Sequence, residues 1–197
     1  MTDKNLLTLV LRQRHDRDTM ADPANSADLA AAARAGDRAA FAALHDRYGR
    51  MVHAILLART PFGAADDLVQ DVFLAALERI GELRQVEAFG GWLAQIARNR
   101  AVDYLRARRH DGPPADEGTV ANGHAAAEAH EALVAIRSLP DAYRETLLMR
   151  LVEGLNGPEI AERTGLTPGS VRVNLHRGMQ LLRERLGIPN REGTIDV

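Results

Sequence analysis

The sequence contains no cysteine and only one lysine, and each absence excludes a class of function. Without cysteine there is no disulfide framework, no thiol nucleophile and no Cys-ligated metal, so nothing indicates an oxidising compartment. Because Lys4 is the only lysine, no glycine-rich phosphate loop carries its usual lysine. His130-Glu131 is not followed by a second histidine at metal-site spacing. We therefore expect no enzymatic activity, no cofactor and no metal site.

The chain is also poor in aromatic residues, which make up 4% of it, whereas hydrophobic residues make up 46%. This balance is typical of packed helices rather than sheets. The mostly apolar stretch Leu6–Leu11 is too short to span a bilayer and lacks a cleavage site. We expect a cytoplasmic protein without membrane insertion. Residues 1–25 are expected to form a loosely ordered extension, with Met20 as an alternative start.

Apolar residues recur at three- and four-residue steps along most of the chain, with no strand-like alternation and no internal repeat. This pattern predicts an all-α fold. The predicted helices are 27–35, 37–60, one that follows an N-cap at Asp66 or Asp67, 92–109, 139–152, and two shorter ones on either side of Gly165. The third helix is predicted to bury Val69, Val72, Phe73, Ala76, Leu77 and Ile80.

A change of composition divides these helices into two small helical domains. Residues 111–130 contain prolines, glycines, alanines and acidic residues but no Lys or Arg, which predicts a flexible acidic linker. The predicted organisation is an N-terminal extension over 1–25, a helical domain over 26–110, the linker over 111–130, a second helical domain over 131–187 and a tail over 188–197.

The most specific motif lies in 158–177, where small and apolar residues have the spacing of a helix-turn-helix. Ala161 is small where the second helix would cross closely, and Gly165 supplies a turn that favours positive φ. Thr167 is predicted to cap the second helix, with Pro168 in its first turn. The residues predicted to close the small core are Ile160, Leu166 and Val171.

The second helix of this motif would present polar side chains to a major groove, in which Arg and Asn read G and A. The alternative is an ordinary helical hairpin whose exposed arginines are only solvated. Arginines on the outward face favour the DNA-binding interpretation. The candidate residues are Thr167, Ser170, Arg172, Val173, Asn174, His176 and Arg177.

Both domains resemble the bacterial sigma factors of the sigma-70 family, specifically the small extracytoplasmic-function (ECF) type. Leu139–Arg144, Glu159–Ala161 and Val171–Arg177 resemble the family's region four, which implies recognition of an upstream promoter element. Asp66–Phe73 resembles the region-two helix that grips the polymerase clamp, and Trp92–Asp103 resembles the promoter-melting helix.

The resemblance covers residues 27–109 and 131–187 and implies a sigma factor that directs promoter-specific transcription initiation. It implies core RNA polymerase and promoter DNA as partners and a monomeric state. An anti-sigma factor is also implied, although no residue identifies one. A stand-alone homodimeric helix-turn-helix regulator is the main alternative, and an RNA-binding adaptor is a third. The acidic third helix and the arginines of the helix over 92–109 argue against the homodimeric regulator. The lack of exposed aromatic stacking motifs argues against the RNA-binding adaptor.

The resemblance assigns polymerase binding to one face of the third helix. An acidic face with one apolar residue suits a basic, partly apolar partner surface. The alternative is a face that is merely solvated. The candidate polymerase-binding residues are Asp67, Gln70, Asp71 and Leu74.

The helix over 92–109 carries five arginines against one aspartate. Arg98, Arg106 and Arg109 project within about a quarter turn of one another, which predicts a phosphate-binding stripe. Asn99 beside the stripe is predicted to hydrogen-bond a base, and the resemblance implies that the preceding loop holds an unstacked base. The candidate residues for the downstream element are Arg84, Phe89, Arg98, Asn99, Arg106 and Arg109.

Two other residues of this helix are expected to have structural roles. Trp92 is predicted to lie in the core rather than to stack on a base. Arg100 falls near the apolar edge and is predicted to pair with Asp103, which would orient it rather than contact DNA.

Overall fold

The computed structural model describes residues 23–110 and 124–188, and the regular elements in these ranges are all helical. The all-α prediction is therefore confirmed for this part of the chain. None of the described helices is long and apolar enough to cross a membrane. The helices are α1 (Pro23–Arg34), α2 (Arg38–Leu57), α3 (Ala65–Arg79), α4 (Phe89–His110), α5 (His124–Arg137), α6 (Asp141–Leu151), α7 (Gly157–Thr164) and α8 (Pro168–Arg185). Short 3-10 turns lie at Phe62–Ala64, Ile80–Glu82 and Val86–Ala88.

The first domain is built around α2, which contacts α1, α3 and α4. The carboxylate of Asp37 caps this helix, accepting hydrogen bonds from the amides of Ala39 at 2.8 Å and Ala40 at 3.1 Å. The buried face of α2 includes Leu44, Tyr48, Met51, Val52 and Ile55. The predicted three- and four-residue periodicity therefore corresponds to the face that packs in the domain core.

Several helix starts differ from the prediction, including that of α4, which begins at Phe89 rather than Trp92. α1 begins at Pro23 rather than Ala27, in keeping with the fixed φ of proline, which suits the first turn of a helix. α3 begins at Ala65, which places Asp66 and Asp67 in its first turn rather than at its N-cap. Their negative charges still favour the helix there through its dipole.

The second domain consists of α5 to α8. α5 begins at His124, inside the segment 111–130 that was predicted to be linker, in keeping with the high helix propensity of its alanines. The start of that linker, 111–123, lies outside the described residues. So do residues 1–22, which include Met20, and the tail from 189 onward.

Gly178 marks a close crossing of α8 over α6. A Cβ added there would lie 3.1 Å from Cδ1 of Leu147 and 3.2 Å from Cβ of Tyr143. The missing side chain thus allows α6 and α8 to approach closely, which offsets the usual cost of glycine inside a helix.

The two domains pack directly against each other. α2 contacts α6 and α7, and α4 contacts α7. Buried apolar residues of both domains form one continuous cluster. At Gly90, an added Cβ would overlap the carbonyl oxygen of Arg163 in α7. The sequence predicted two tethered domains but not this contact between them.

Candidate polymerase and DNA interfaces

The helix-turn-helix forms from α7 and α8, and its caps follow from local sequence. The side chain of Asn156 accepts a hydrogen bond from the amide of Glu159 at 2.9 Å, and the Glu159 carboxylate accepts one from the Asn156 amide at 2.8 Å. This reciprocal pair is a capping box. Gly165 ends α7 with a φ of 74°, a left-handed conformation that favours glycine. Thr167 caps α8 by accepting from the amide of Ser170 at 3.1 Å.

The outward face of α8 carries four of the predicted DNA-binding residues. At about 100° per residue, these four positions fall within a half turn of the helix. Val173 is 45% exposed, which leaves an apolar surface among the polar groups. Two arginines, an imidazole and an apolar contact suit base edges and phosphates of a major groove. The four exposed residues are Arg172, Val173, His176 and Arg177.

Two other residues of the motif are placed differently from the prediction. Asn174 is half-buried and lines a cleft between the domains with Arg59 and Arg98, because it lies well to one side of the outward face. Leu166 is 39% exposed and does not close the core, since the turn after Gly165 directs it outward. The hydroxyls of Thr167 and Ser170 are exposed but hydrogen-bonded to each other at 2.8 Å.

The predicted polymerase-binding face of α3 is largely accessible. Asp67 and Gln70 are exposed, and Leu74 is 60% exposed. Leu77, predicted to be buried, is 47% exposed and lies on the same face three residues further on. The apolar part of this face is therefore larger than the sequence indicated. A small shift in helix orientation decides which edge of an apolar stripe is buried, and the period alone does not determine it.

Asp71, on the same face, accepts a hydrogen bond from Arg100 in α4 at 2.6 Å. The prediction that Arg100 pairs with Asp103 was wrong, because packing of α3 on α4 brings Asp71 within reach. Asp103 instead lies 3.8 Å from Arg106, one turn later. The Arg100–Asp71 pair is about half exposed on both sides and therefore contributes little to stability.

The predicted phosphate-binding stripe of α4 is only partly accessible. Arg106 has a side chain that is 74% exposed. Arg98 turns toward the second domain and donates to Oε2 of Glu145 at 2.8 Å. Asn99 is exposed and accepts a hydrogen bond from Gln95 at 2.9 Å. The side chain of Arg109 lies outside the described part of the chain.

Two downstream-element contacts were predicted in the loop before residue 92, and only one of them is accessible; in the structure Phe89 is the first residue of α4. Arg84 is exposed. Phe89 is only 1% exposed, and its ring lies 5.1 Å from that of Tyr48 and 5.8 Å from that of Trp92. The prediction that Phe89 holds an unstacked base does not fit this structure, because its ring is already used in the core. Trp92 packs half-buried against the core, as expected.

The sequence did not predict a group of ion pairs between the two domains. Glu145 of α6 is 8% exposed and binds both Arg98 and Arg59 of the first domain. His53 contacts Glu153 at 2.6 Å through Nδ1, and this hydrogen bond raises the pKa of His53 above its ordinary value. These partners lie far apart in sequence, so spacing carried no signal for them. The described residues contain no group of three or more His, Asp or Glu side chains that could hold a metal ion.

Comparison with known proteins gives two family matches in the same order as the domains. Sigma-70 region 2 matches residues 44–110, and Sigma-70 region 4 matches residues 129–182. Together they span more than half of the chain. The chain belongs to the sigma-70 family of RNA polymerase sigma factors. The resemblance stated from the motifs is therefore confirmed, and this sigma factor acts in promoter-specific transcription initiation.

Individual relatives agree with the ECF assignment. RNA polymerase sigma factor CarQ of Myxococcus xanthus is 35% identical over 162 residues, covering 78% of this chain and 93% of that protein. ECF RNA polymerase sigma factor SigM of Mycobacterium tuberculosis H37Rv is 32% identical, with coverage of 90% and 89%. The solved structure of CnrH in complex with the cytosolic domain of CnrY has a TM-score of 0.55 at 26% identity, covering 84% of this chain and 99% of that one.

Proposed function

We propose that this sigma factor uses α3 to bind core polymerase, α8 to read an upstream duplex element, and α4 with its preceding loop to engage the downstream element as it melts. The observation that carries the proposal is the outward face of α8, where both arginines remain exposed on a capped helix-turn-helix. We infer that this sigma factor acts as a cytoplasmic monomer. It has no catalytic group of its own in this proposal, since the polymerase performs the phosphodiester chemistry. CnrH was solved in complex with the cytosolic domain of CnrY, and we include an anti-sigma factor among the partners of this chain.

The exposed leucines of α3 support the polymerase-binding part. Leu74 and Leu77 lie beside Asp67 and Gln70, so an apolar contact is bordered by acceptor groups. Interfaces of this composition combine a desolvated centre with a polar rim that guides association. Desolvated apolar anchors contribute more affinity than rim charges.

Run-off transcription tests the function as a whole. Core polymerase is incubated with genomic fragments, with and without the chain, and the start sites are mapped. We expect new promoter-specific starts that depend on the chain, preceded by two unlike sequence elements. If the chain produces no new starts and alone protects a palindromic site, it is a homodimeric regulator instead.

A matched pair of variants tests the polymerase surface. Leu74→Arg places a charge at the centre of the proposed contact, whereas Val134→Arg makes the same kind of change at a 49% exposed valine of α5. We expect Leu74→Arg to weaken binding to core polymerase by at least about tenfold, because hot-spot losses commonly exceed 2 kcal/mol. Equal affinities for the two variants would argue against α3 as the contact.

A further inference from the structure

The middle of the outward face of α8 carries an apolar side chain between two basic ones. Val173 is 45% exposed and lies in the second turn of the helix. At about 100° per residue, Arg172 lies about 100° to one side of it and Arg177 about 40° to the other. Val102 and Val134 are exposed as well, so exposure alone indicates nothing. Val173 differs from them in its position between two arginines of a helix-turn-helix.

The turn of α8 before Val173 has little that would hold the helix away from a groove. Gly169, four residues earlier on the same side, has no side chain, and the nearest atom that a Cβ built there would meet is Oγ1 of Thr167 at 3.9 Å. Ser170 is short, and its hydroxyl is hydrogen-bonded to that of Thr167 at 2.8 Å. Residues near the N-terminus of a recognition helix are those that contact base edges. A low first turn therefore lets Val173 approach the base edges of a major groove.

The side chain of a valine matches only one feature of a major groove. The base edges there carry hydrogen-bond donors and acceptors, and the 5-methyl group of thymine is their one apolar group. Because Val173 has no polar side-chain atom, its contact with guanine, cytosine or adenine would remove polar groups from water without giving them a partner. Against thymine, two apolar surfaces leave water together. The side chain thus favours thymine and penalises the other three bases.

We propose that Val173 determines specificity for a thymine in the upstream element, by packing against the 5-methyl group of that base in the major groove. Val173 and Arg177 are about 6 Å apart along the helix axis, and successive bases are about 3.4 Å apart, so the thymine lies within roughly two base steps of the Arg177 contact. The contact requires that α8 reads duplex DNA, and it therefore rests on the proposed function.

Selection of bound duplexes by the holoenzyme identifies the thymine. The library carries a promoter mapped by run-off transcription, with its upstream element randomised, and is amplified with either thymidine triphosphate or deoxyuridine triphosphate. Uracil pairs as thymine does and differs only in lacking the 5-methyl group. We expect one thymine position that is enriched in the first library and lost in the second. Positions read by arginine should be enriched in both.

Binding of one selected duplex then tests whether the methyl group is read by Val173. Replacing that thymine by deoxyuridine should weaken binding by the parent holoenzyme about fourfold, the loss that removal of one buried methyl group predicts. In Val173→Ala the same replacement should weaken binding less than about 1.5-fold, because the two groups act as a pair. Val134→Ala removes the same atoms from a 49% exposed valine of α5 and should keep the fourfold loss. A fourfold loss in Val173→Ala as well would overturn the role of Val173.

The selection also separates failure of this contact from failure of the proposed function. If the parent holoenzyme enriches no upstream sequence, or enriches the same one after Arg172→Ala with Arg177→Ala, α8 does not read the element and both fail. If the arginine variant loses the upstream sequence but no thymine position responds to uracil, the proposed function stands and the role of Val173 is overturned. Enrichment that needs both the methyl group and Val173 supports both.

Discussion

The two helices proposed to face DNA differ in whether their arginines are already paired with carboxylates of the protein. The outward face of α8 presents Arg172 and Arg177 to solvent. On α4, Arg98 and Arg100 are both bound by carboxylates, and only Arg106 has a mostly exposed side chain among the described stripe residues. A helix whose cations are already paired must exchange partners before it binds DNA. The comparison therefore predicts that duplex recognition by α8 is available at once, whereas binding by α4 depends on rearrangement.

The largest effect should come from Phe89→Ala, which asks whether this residue is a base contact or part of the core. Its ring is buried against Tyr48 and Trp92, so truncation should reduce the free energy of unfolding by about 3–5 kcal/mol. Chemical denaturation followed by circular dichroism measures this. The control Val102→Ala, at a 39% exposed position, should cost less than about 0.5 kcal/mol. Undiminished stability with reduced DNA binding would restore the base-contact interpretation.

Breaking the accessible helix should give the next largest effect. The double variant Arg172→Ala with Arg177→Ala is expected to weaken duplex promoter binding by the holoenzyme roughly 10²-fold, at about 1–3 kcal/mol for each contact. Promoter-specific starts should disappear while non-specific elongation persists. Arg38→Ala with Arg79→Ala, two exposed arginines of the first domain, removes the same charge. If both pairs weaken binding equally, overall charge rather than α8 governs recognition.

A comparison within α4 gives a smaller effect. Arg106→Ala should lower the salt dependence of single-strand binding by about 0.7 in the log–log slope, because one phosphate contact is lost. Arg98→Ala should lower it less, since Arg98 spends part of its time on Glu145. Oligonucleotide titrations over a range of salt concentrations provide the slopes. Equal losses for the two variants would indicate that Glu145 does not compete with DNA.

The features that sequence predicted well depend on near neighbours in the chain. Gly165 and Thr167 have the predicted turn and capping roles because each acts within a few residues of itself. The outward face of α8 likewise follows from helical period, although Asn174 lies too far round to share it. Local rules of this kind identified the sigma regions before any contact between them was known.

The features that sequence missed depend on residues that are distant in the chain. Glu145 and Arg98 are 47 positions apart, and no spacing rule connects them. The sequence predicted Phe89 to be a loop residue, whereas in the structure its ring packs against that of Tyr48 on another helix. Asp71 captures Arg100 by the same kind of tertiary contact, over 29 positions. The resemblance predicted which faces of α3, α4 and α8 bind partners. Packing between helices decides which side chains on each of these faces are accessible.

The smallest expected effect concerns pH and acts on the contact between the two domains through His53. The carboxylate of Glu153 lies 2.6 Å from Nδ1 and raises the pKa of His53, with Asp66 adding to the shift 3.5 Å from Nε2. Arg50 donates to the backbone carbonyl of Glu153 at 3.5 Å. A raised pKa in the folded chain means that the stabilising contribution of protonated His53 is fully present below its ordinary pKa of about 6.5. This contribution is lost as the pH rises through the raised value.

The free energy of unfolding should therefore fall as the pH rises above about 6.5, by a small amount because a single partly exposed pair is involved. Chemical denaturation at a series of pH values measures this fall. His53→Gln keeps a hydrogen-bonding side chain but cannot titrate, so it should remove most of the fall. The other histidines remain in that variant and act as the internal control. If His53→Gln retains the full pH dependence, another group controls the pH response and the His53–Glu153 pair is only a structural contact.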